Sequence, residues 1–153
     1  MKDVKRDLQT DYFSLLTGIV IDGYTVPVYD DVPQDATYPY IKLGEWTEVD
    51  YSDKTSFGGD VTLTVQIVDR FQGTVSRAKM YDVVNEVKQI IRSRPAPFNL
   101  VGWNILTSVV DNETTFRQLT DTFVYVYSNI RFRHLAEQLF VDTFDETFDN
   151  TFA

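Results

Sequence analysis

The chain has 153 residues, which suits one domain and is too short for two well-packed ones. Hydrophobic residues make up 43%, including 11 Phe and 9 Tyr, which supplies a core and argues against global disorder. The formal net charge of −9 disfavours duplex binding as the main activity, and the lack of cysteine excludes disulfides, thiolate nucleophiles and Cys-ligated zinc.

Residues 2–17 carry a helical pattern. Val4, Leu8, Tyr12, Leu15 and Leu16 share one face, while Lys5, Arg6, Asp7 and Asp11 take the others, and Gly18 ends the helix. The opening MKDVKRDLQTDYF is charged and has no apolar h-region, so no signal peptide is expected. No apolar run approaches the roughly 20 residues of a membrane helix, so the expectation is cytoplasmic synthesis and no membrane partner.

Asp22-Gly23 between apolar β-formers predicts a tight hairpin, because both turn positions need positive φ. Pro27 suits a strand edge. Residues 30–39 contain Pro33, Asp35 and Pro39 and read as a loop. Residues 40–51 then read as a strand with Ile41 and Leu43 on one face and Tyr40 and Lys42 on the other. Residues 52–59 are polar with two glycines and read as an exposed turn. Over residues 60–69, Val61, Leu63, Val65 and Ile67 alternate with Thr62, Thr64 and Gln66, as in an antiparallel strand with one covered face.

Thr74 is the expected N-cap of a second helix over residues 75–92, with a stripe of Met80, Val83, Val84, Val87, Ile90 and Ile91. Lys88, Arg92 and Arg94 suit its C-terminal end, and Pro95 and Pro97 stop it. Residues 103–116 and 120–133 read as two further strands. In the second, Val124, Val126, Ile130 and Phe132 face one way, and Phe123, Tyr125 and Tyr127 the other. The polar run 111–114 fits either an exposed strand or a bulge.

These elements predict an α+β fold: an antiparallel or mixed sheet, two amphipathic helices packed on one face, a long β-hairpin arm and an acidic C-terminal tail. The domain is expected over residues 1–134 and the arm over 135–153. In the arm, V-D-T-F, D-E-T-F and D-N-T-F place Phe140, Phe144, Phe148 and Phe152 at every fourth position. From Glu137 onward there are five acids and no Lys or Arg. An extended strand puts these phenylalanines on one face, and a helix makes them a drifting stripe. Two readings stand: a docking arm that orders on a neighbour, or an acidic tail that stays loose or folds back on its own domain.

Candidate chemistry is sparse. His134, the one histidine, has no accompanying Ser or Cys nucleophile motif and reads as a surface or interface residue. Asp30, Asp31, Glu45, Glu48 and Asp50 read as solvated acids, because strand neighbours point to opposite faces and do not converge on a cation. Lys54-Thr-Ser-Phe-Gly-Gly59 reverses the order a phosphate-binding loop needs and precedes a strand. Trp46 and Trp103 read as core or interface anchors. No catalytic residue, cofactor or metal is expected. The candidate sites are interfaces: the hairpin residues Tyr51, Lys54, Phe57, Gly58 and Gly59, the sheet-face residues Tyr125 and Tyr127, and the four tail phenylalanines.

Several ordered pieces resemble the tail completion (tail terminator) proteins of long-tailed bacteriophages. The run VYDDVPQDATYPYIKLGE leads through Pro39-Tyr40 into a strand. KTSFGGDVTLTVQIVDRFQGT sets Phe57-Gly58 before the next strand, and Gly73 separates that strand from the helix SRAKMYDVVNEVKQII. The likeness covers residues 2–134. Val68 departs from the aromatic often found there, and the D-x-T-F tail lies outside the pattern. The resemblance implies a non-catalytic virion subunit that forms a homo-oligomeric, hexameric ring. The ring caps the tail tube, contacts the head-tail connector at the neck and lets DNA pass without specific binding. An adaptor that docks through its aromatic acidic arm is the alternative, and a small enzyme ranks last.

Overall fold

The computed structural model describes residues 3–54, 56–94 and 96–139. Its elements are α1 (Lys5–Leu16), β1 (Val20–Ile21), β2 (Tyr24–Thr25), β3 (Val28–Tyr29), β4 (Tyr40–Asp50), β5 (Gly58–Phe71), α2 (Ala78–Ile91), β6 (Trp103–Leu119) and β7 (Val124–Gln138). The fold is α+β, and its principal sheet is mixed, with strand order β3-β4-β5-β7-β6. All its pairings are antiparallel except β3 with β4, which is parallel over Val28↔Ile41 and Tyr29↔Lys42.

Local chemistry accounts for most of these elements. Asp22 and Gly23 both have positive φ, so β1 and β2 close through the two-residue turn expected of Asp-Gly. Along α1, Leu8, Tyr12 and Leu16 are buried at four-residue spacing, Val4 is buried at the N-cap, and the chain leaves the helix before Gly18, at φ 96°. In α2 the stripe Met80, Val83, Val84, Val87 and Ile91 is buried. The N-cap is Arg77, without a side-chain cap bond, and not Thr74 as expected. Val75 packs against the core, so the segment before the helix follows the core surface and the helix starts later.

Both helices lie on one face of the sheet. There Val61, Leu63, Val65 and Ile67 of β5 meet Val126, Ile130, Phe132 and Ala136 of β7, beneath the two helical stripes. The alternation read from β5 is therefore the inside–outside alternation of the fold. Run 111–114 is both things at once: the register slips between Val110 and Asn112, and the strand then continues, exposed, to Leu119. β7 runs past Arg133 to Gln138, and its Ala136 joins the core.

A bulge in β4 is invisible to simple alternation. The β4–β5 register shifts between Gly44 and Trp46, with Glu45 at φ 55° as the extra residue. An extra residue reverses the phase of everything after it. Ile41 and Leu43 thus share the helix-side face with Trp46, whose ring stands edge-on to Tyr12 at 6.2 Å. Replacing Glu45 by Val is expected to lower thermal stability, because a β-branched residue resists positive φ. A melting temperature at or above that of the native chain would refute this origin of the bulge.

Candidate functional site

The face of the sheet away from the helices has two chemically different halves. Toward the Phe71 end of β5 it carries an aromatic band. Tyr29 and Tyr40 lie 5.7 Å apart, Tyr38 and Tyr40 5.2 Å, and Tyr38 and Tyr125 6.2 Å. Tyr125 stacks on Tyr127 at 6.4 Å, and Tyr127 stacks on Phe116 at 5.0 Å. The Arg70 guanidinium lies 4.4 Å from the Tyr38 ring centre and 4.2 Å from that of Phe123. Alternation along β7 puts Tyr125 and Tyr127 here, and cross-strand pairing brings Phe116 and Val68 beside Tyr127. Val68, where an aromatic was expected of relatives, is buried between Tyr40 and Tyr127.

Crowding shows in the ionisation of the band. Burial, and then the neighbouring tyrosines, push the Tyr40 phenol up to about 12. Burial also raises Tyr38 and Tyr127. The phenols of Tyr38, Tyr40 and Tyr127 therefore stay neutral in the physiological range, and the band offers rings, hydroxyls and the Arg70 cation for contact. Tyr127 donates a hydrogen bond to Gln118 Oε1 at 3.2 Å, and Phe116 is 47% exposed.

The other half is polar. Gln66 donates to Asn129 Oδ1 at 2.9 Å, beside a recess of about 70 Å³ that also involves Lys42 and Thr64. Thr47 and Thr62 share a hydrogen bond. Arg133 grips Asp60 with two bonds of 2.9 and 2.6 Å, which holds the Asp60 carboxyl below its usual range. Because Arg133 is exposed and Asp60 only partly covered, Asp60→Asn is expected to cost about 1 kcal/mol in urea unfolding. A loss of several kcal/mol would mean the pair acts within a larger network.

The hairpin joining β4 to β5 presents Tyr51 and Phe57, 55% and 41% exposed, together with exposed Lys54. Gly58 and Gly59 do not sit at its tip. They are buried residues of β5, paired with Glu137 and Ala136 of β7. A Cβ on Gly58 would lie 2.8 Å from the Tyr51 carbonyl oxygen and 2.9 Å from that of Ala136. Phe140, Phe144, Phe148 and Phe152 lie outside the described residues.

His134 is a correction to the sequence reading. It is buried, not at the surface, because the even positions of β7 face the helices. One ring nitrogen, Nε2, hydrogen-bonds the Tyr12 hydroxyl; the other, Nδ1, lies 2.8 Å from Ser108 Oγ. Either neutral tautomer satisfies both partners. Burial lowers the His134 pKa to about 4 and raises that of Tyr12 well above its usual value. The Phe98 ring sits 5.0 Å away and closes the cluster, so these groups tie α1 to β6 and β7 inside the core. Among the described residues no three His, Cys, Asp or Glu side chains are placed to share a metal ion.

The molecule is thus a small sheet-and-helix fold that leaves an aromatic band on one sheet face and the Tyr51 and Phe57 rings on a hairpin without a covering element among the described residues. Its sequence matches the family model for tail completion protein gp17 over residues 16–127, and the chain belongs to that family. It is accordingly a structural protein of a bacteriophage tail. A chain from the virion of a native gene transfer agent particle shares the fold, with a TM-score of 0.59, 18% identity, and coverage of 88% of this chain and 91% of that one. No curated protein matches the sequence.

Proposed function

We propose that this protein is the ring-forming terminator of the tail. Copies close as a hexamer on the head-proximal end of the tail tube, stop its growth and join it to the connector at the neck. The protein is assembled into the virion in the host cytoplasm and performs no catalysis. Family membership supports the tail assignment. The observation that carries the contact role is the aromatic band Tyr38–Tyr125–Tyr127–Phe116, uncovered on the face opposite the helices. Phe116 is exposed and the three tyrosines are half-buried, and uncovered aromatic surface of this kind suits a contact. A ring requires two different, complementary surfaces on each subunit, and the band and the hairpin bearing Tyr51, Lys54 and Phe57 supply two. The net charge of −9 suits a channel through which DNA slides without adhesion.

The test is assembly of tails with variant protein. Tyr127→Asp with Phe116→Asp, or Phe57→Ser alone, is expected to lengthen the tubes and lower head joining at least tenfold. The melting temperature of each purified variant should stay within a few degrees of the native chain. Tubes of normal length with full head joining would refute the assignment of these surfaces. The adaptor alternative draws on the arm over residues 135–153, of which 140–153 lie outside the described residues, and no described surface favours it over the ring.

A further inference from the structure

Between α1 and β4 lies an open groove of about 580 Å³, lined by Lys5, Arg6, Gln9, Phe13 and Trp46 among others. It exists for two reasons already seen. The Glu45 bulge turns Trp46 to the helix side, and β3 pairs with only the first residues of β4. Among the described residues no strand covers the outer edge of β4 from Trp46 to Asp50. Phe13 is 45% exposed at the groove. Lys5 sits 3.7 Å from Glu48 and 3.9 Å from Asp3, and Arg6 makes no ion pair with a described residue. An aromatic floor, two cations and an unpaired strand edge therefore adjoin one another.

We propose that residues 140–153 of this same chain occupy that groove as an added strand, antiparallel to β4. Three observations point to this occupant. The first is pattern. As a strand, the segment would present Phe140, Asp142, Phe144, Glu146, Phe148, Asn150 and Phe152 on one face, alternating ring with acid or amide. The opposite face would carry Val141, Thr143, Asp145, Thr147, Asp149 and Thr151, suited to water. The second is charge. The segment has four acids and no Lys or Arg, and the groove offers Lys5 and Arg6. The third is reach. The described chain stops at Leu139, whose N–H donates to the Gly102 carbonyl, at the end of the sheet where Gly58 and Asp50 also lie. From β7 to a strand added outside β4 is three strand spacings, roughly 14 Å, and the 14 remaining residues extend to roughly 46 Å, enough for the crossing and for pairing along the free edge. The segment enters beside Asp50 and runs back toward Trp46. Edge pairing supplies main-chain hydrogen bonds, and the alternate side chains enter the groove. This inference does not depend on ring formation.

The native chain has no cysteine, so paired cysteines test it directly in the full-length protein. Gln9→Cys with Glu146→Cys is expected to oxidise to a monomeric, internally linked product at a rate independent of protein concentration. That rate should exceed by at least tenfold that of Thr114→Cys with Glu146→Cys, since Thr114 lies on the exposed part of β6, at the opposite edge of the sheet. Adding Phe144→Ser and Phe148→Ser, or Arg6→Glu, should remove most of the difference. Equal rates for the two pairs would overturn the proposal. So would preferential formation of linked dimers, which would assign the groove to the tail of another copy.

Discussion

Gly58→Ala is expected to lower the melting temperature by roughly 5–10 °C, and Gly58→Val to leave little folded protein. The reason lies in the backbone. A Cβ at this position meets the carbonyl oxygens of Tyr51 and Ala136 at 2.8 and 2.9 Å, one on each side. Neither can swing aside as a side-chain end would. Tyr51 is tied back to Gly58 by its own N–H, at 2.9 Å, and Ala136 belongs to β7. Overpacking of this kind costs about 1–3 kcal/mol, and a domain of this size loses about 2–4 °C for each kcal/mol. Gly59 is the internal control. Its Cβ would meet Glu48 Oε1 at 3.1 Å, the end of a side chain that can move, so Gly59→Ala should cost less. Thermal unfolding followed by circular dichroism measures both. If Gly58→Ala melts with the native chain, the close approach is not real. The comparison also bears on function: a defect in tail capping from Gly58 variants reports on folding, and only Tyr51, Lys54 and Phe57 report on contact.

Acid should unfold this protein through His134. Its pKa is about 4 in the fold and about 6.5 in the unfolded chain, so the unfolded state binds the extra proton first. Stability is therefore complete above the unfolded value and is lost as pH falls from about 6.5 toward 4, by about 3 kcal/mol in total. Among the described residues its partners are the Tyr12 hydroxyl, Ser108 Oγ and the Phe98 ring, none of them an acid that would offset the charge. Asp69 opposes the trend, because burial raises its pKa and favours the folded state in acid. Asp60 adds to it at lower pH, because Arg133 depresses its pKa. The difference between variants isolates the histidine. His134→Gln should cost about 1–3 kcal/mol at pH 7 and show a shallower loss between pH 7 and 4.5 in urea unfolding. Parallel curves for the two proteins would show that His134 does not govern acid stability.

Much of the fold was legible because it is local or periodic. Asp22-Gly23 specifies its own turn. The four-residue spacing of α1, the stripe of α2 and the alternation of β5 each state which face is buried. Assignment of Tyr125 and Tyr127 to the uncovered face followed from the same alternation. The misses share a different cause. Trp46 changes face because a single bulge at Glu45 reverses the phase of β4, and nothing in the local composition announces a bulge. The even positions of β7 already pointed His134 inward beside Phe132, but the alternation was read only as far as Phe132 and not extended to the histidine. Gly58 and Gly59 read as turn residues, but β5 begins at Gly58 because strand pairing with β7 continues to Glu137. Thr74 fails as a cap because Val75 is drawn to the core.

Composition and periodicity by themselves determined that this chain folds as one α+β unit, where its helices and central strands lie, and that aromatic residues would remain on one sheet face. These properties depend on neighbours within a few residues, which the sequence displays directly. The tertiary structure alone decided the strand order, the joining of Tyr12, Ser108 and His134, the tight seat of Gly58 and the groove under α1. Each of these depends on long-range register, in which a one-residue slip exchanges the inner and outer faces of a strand.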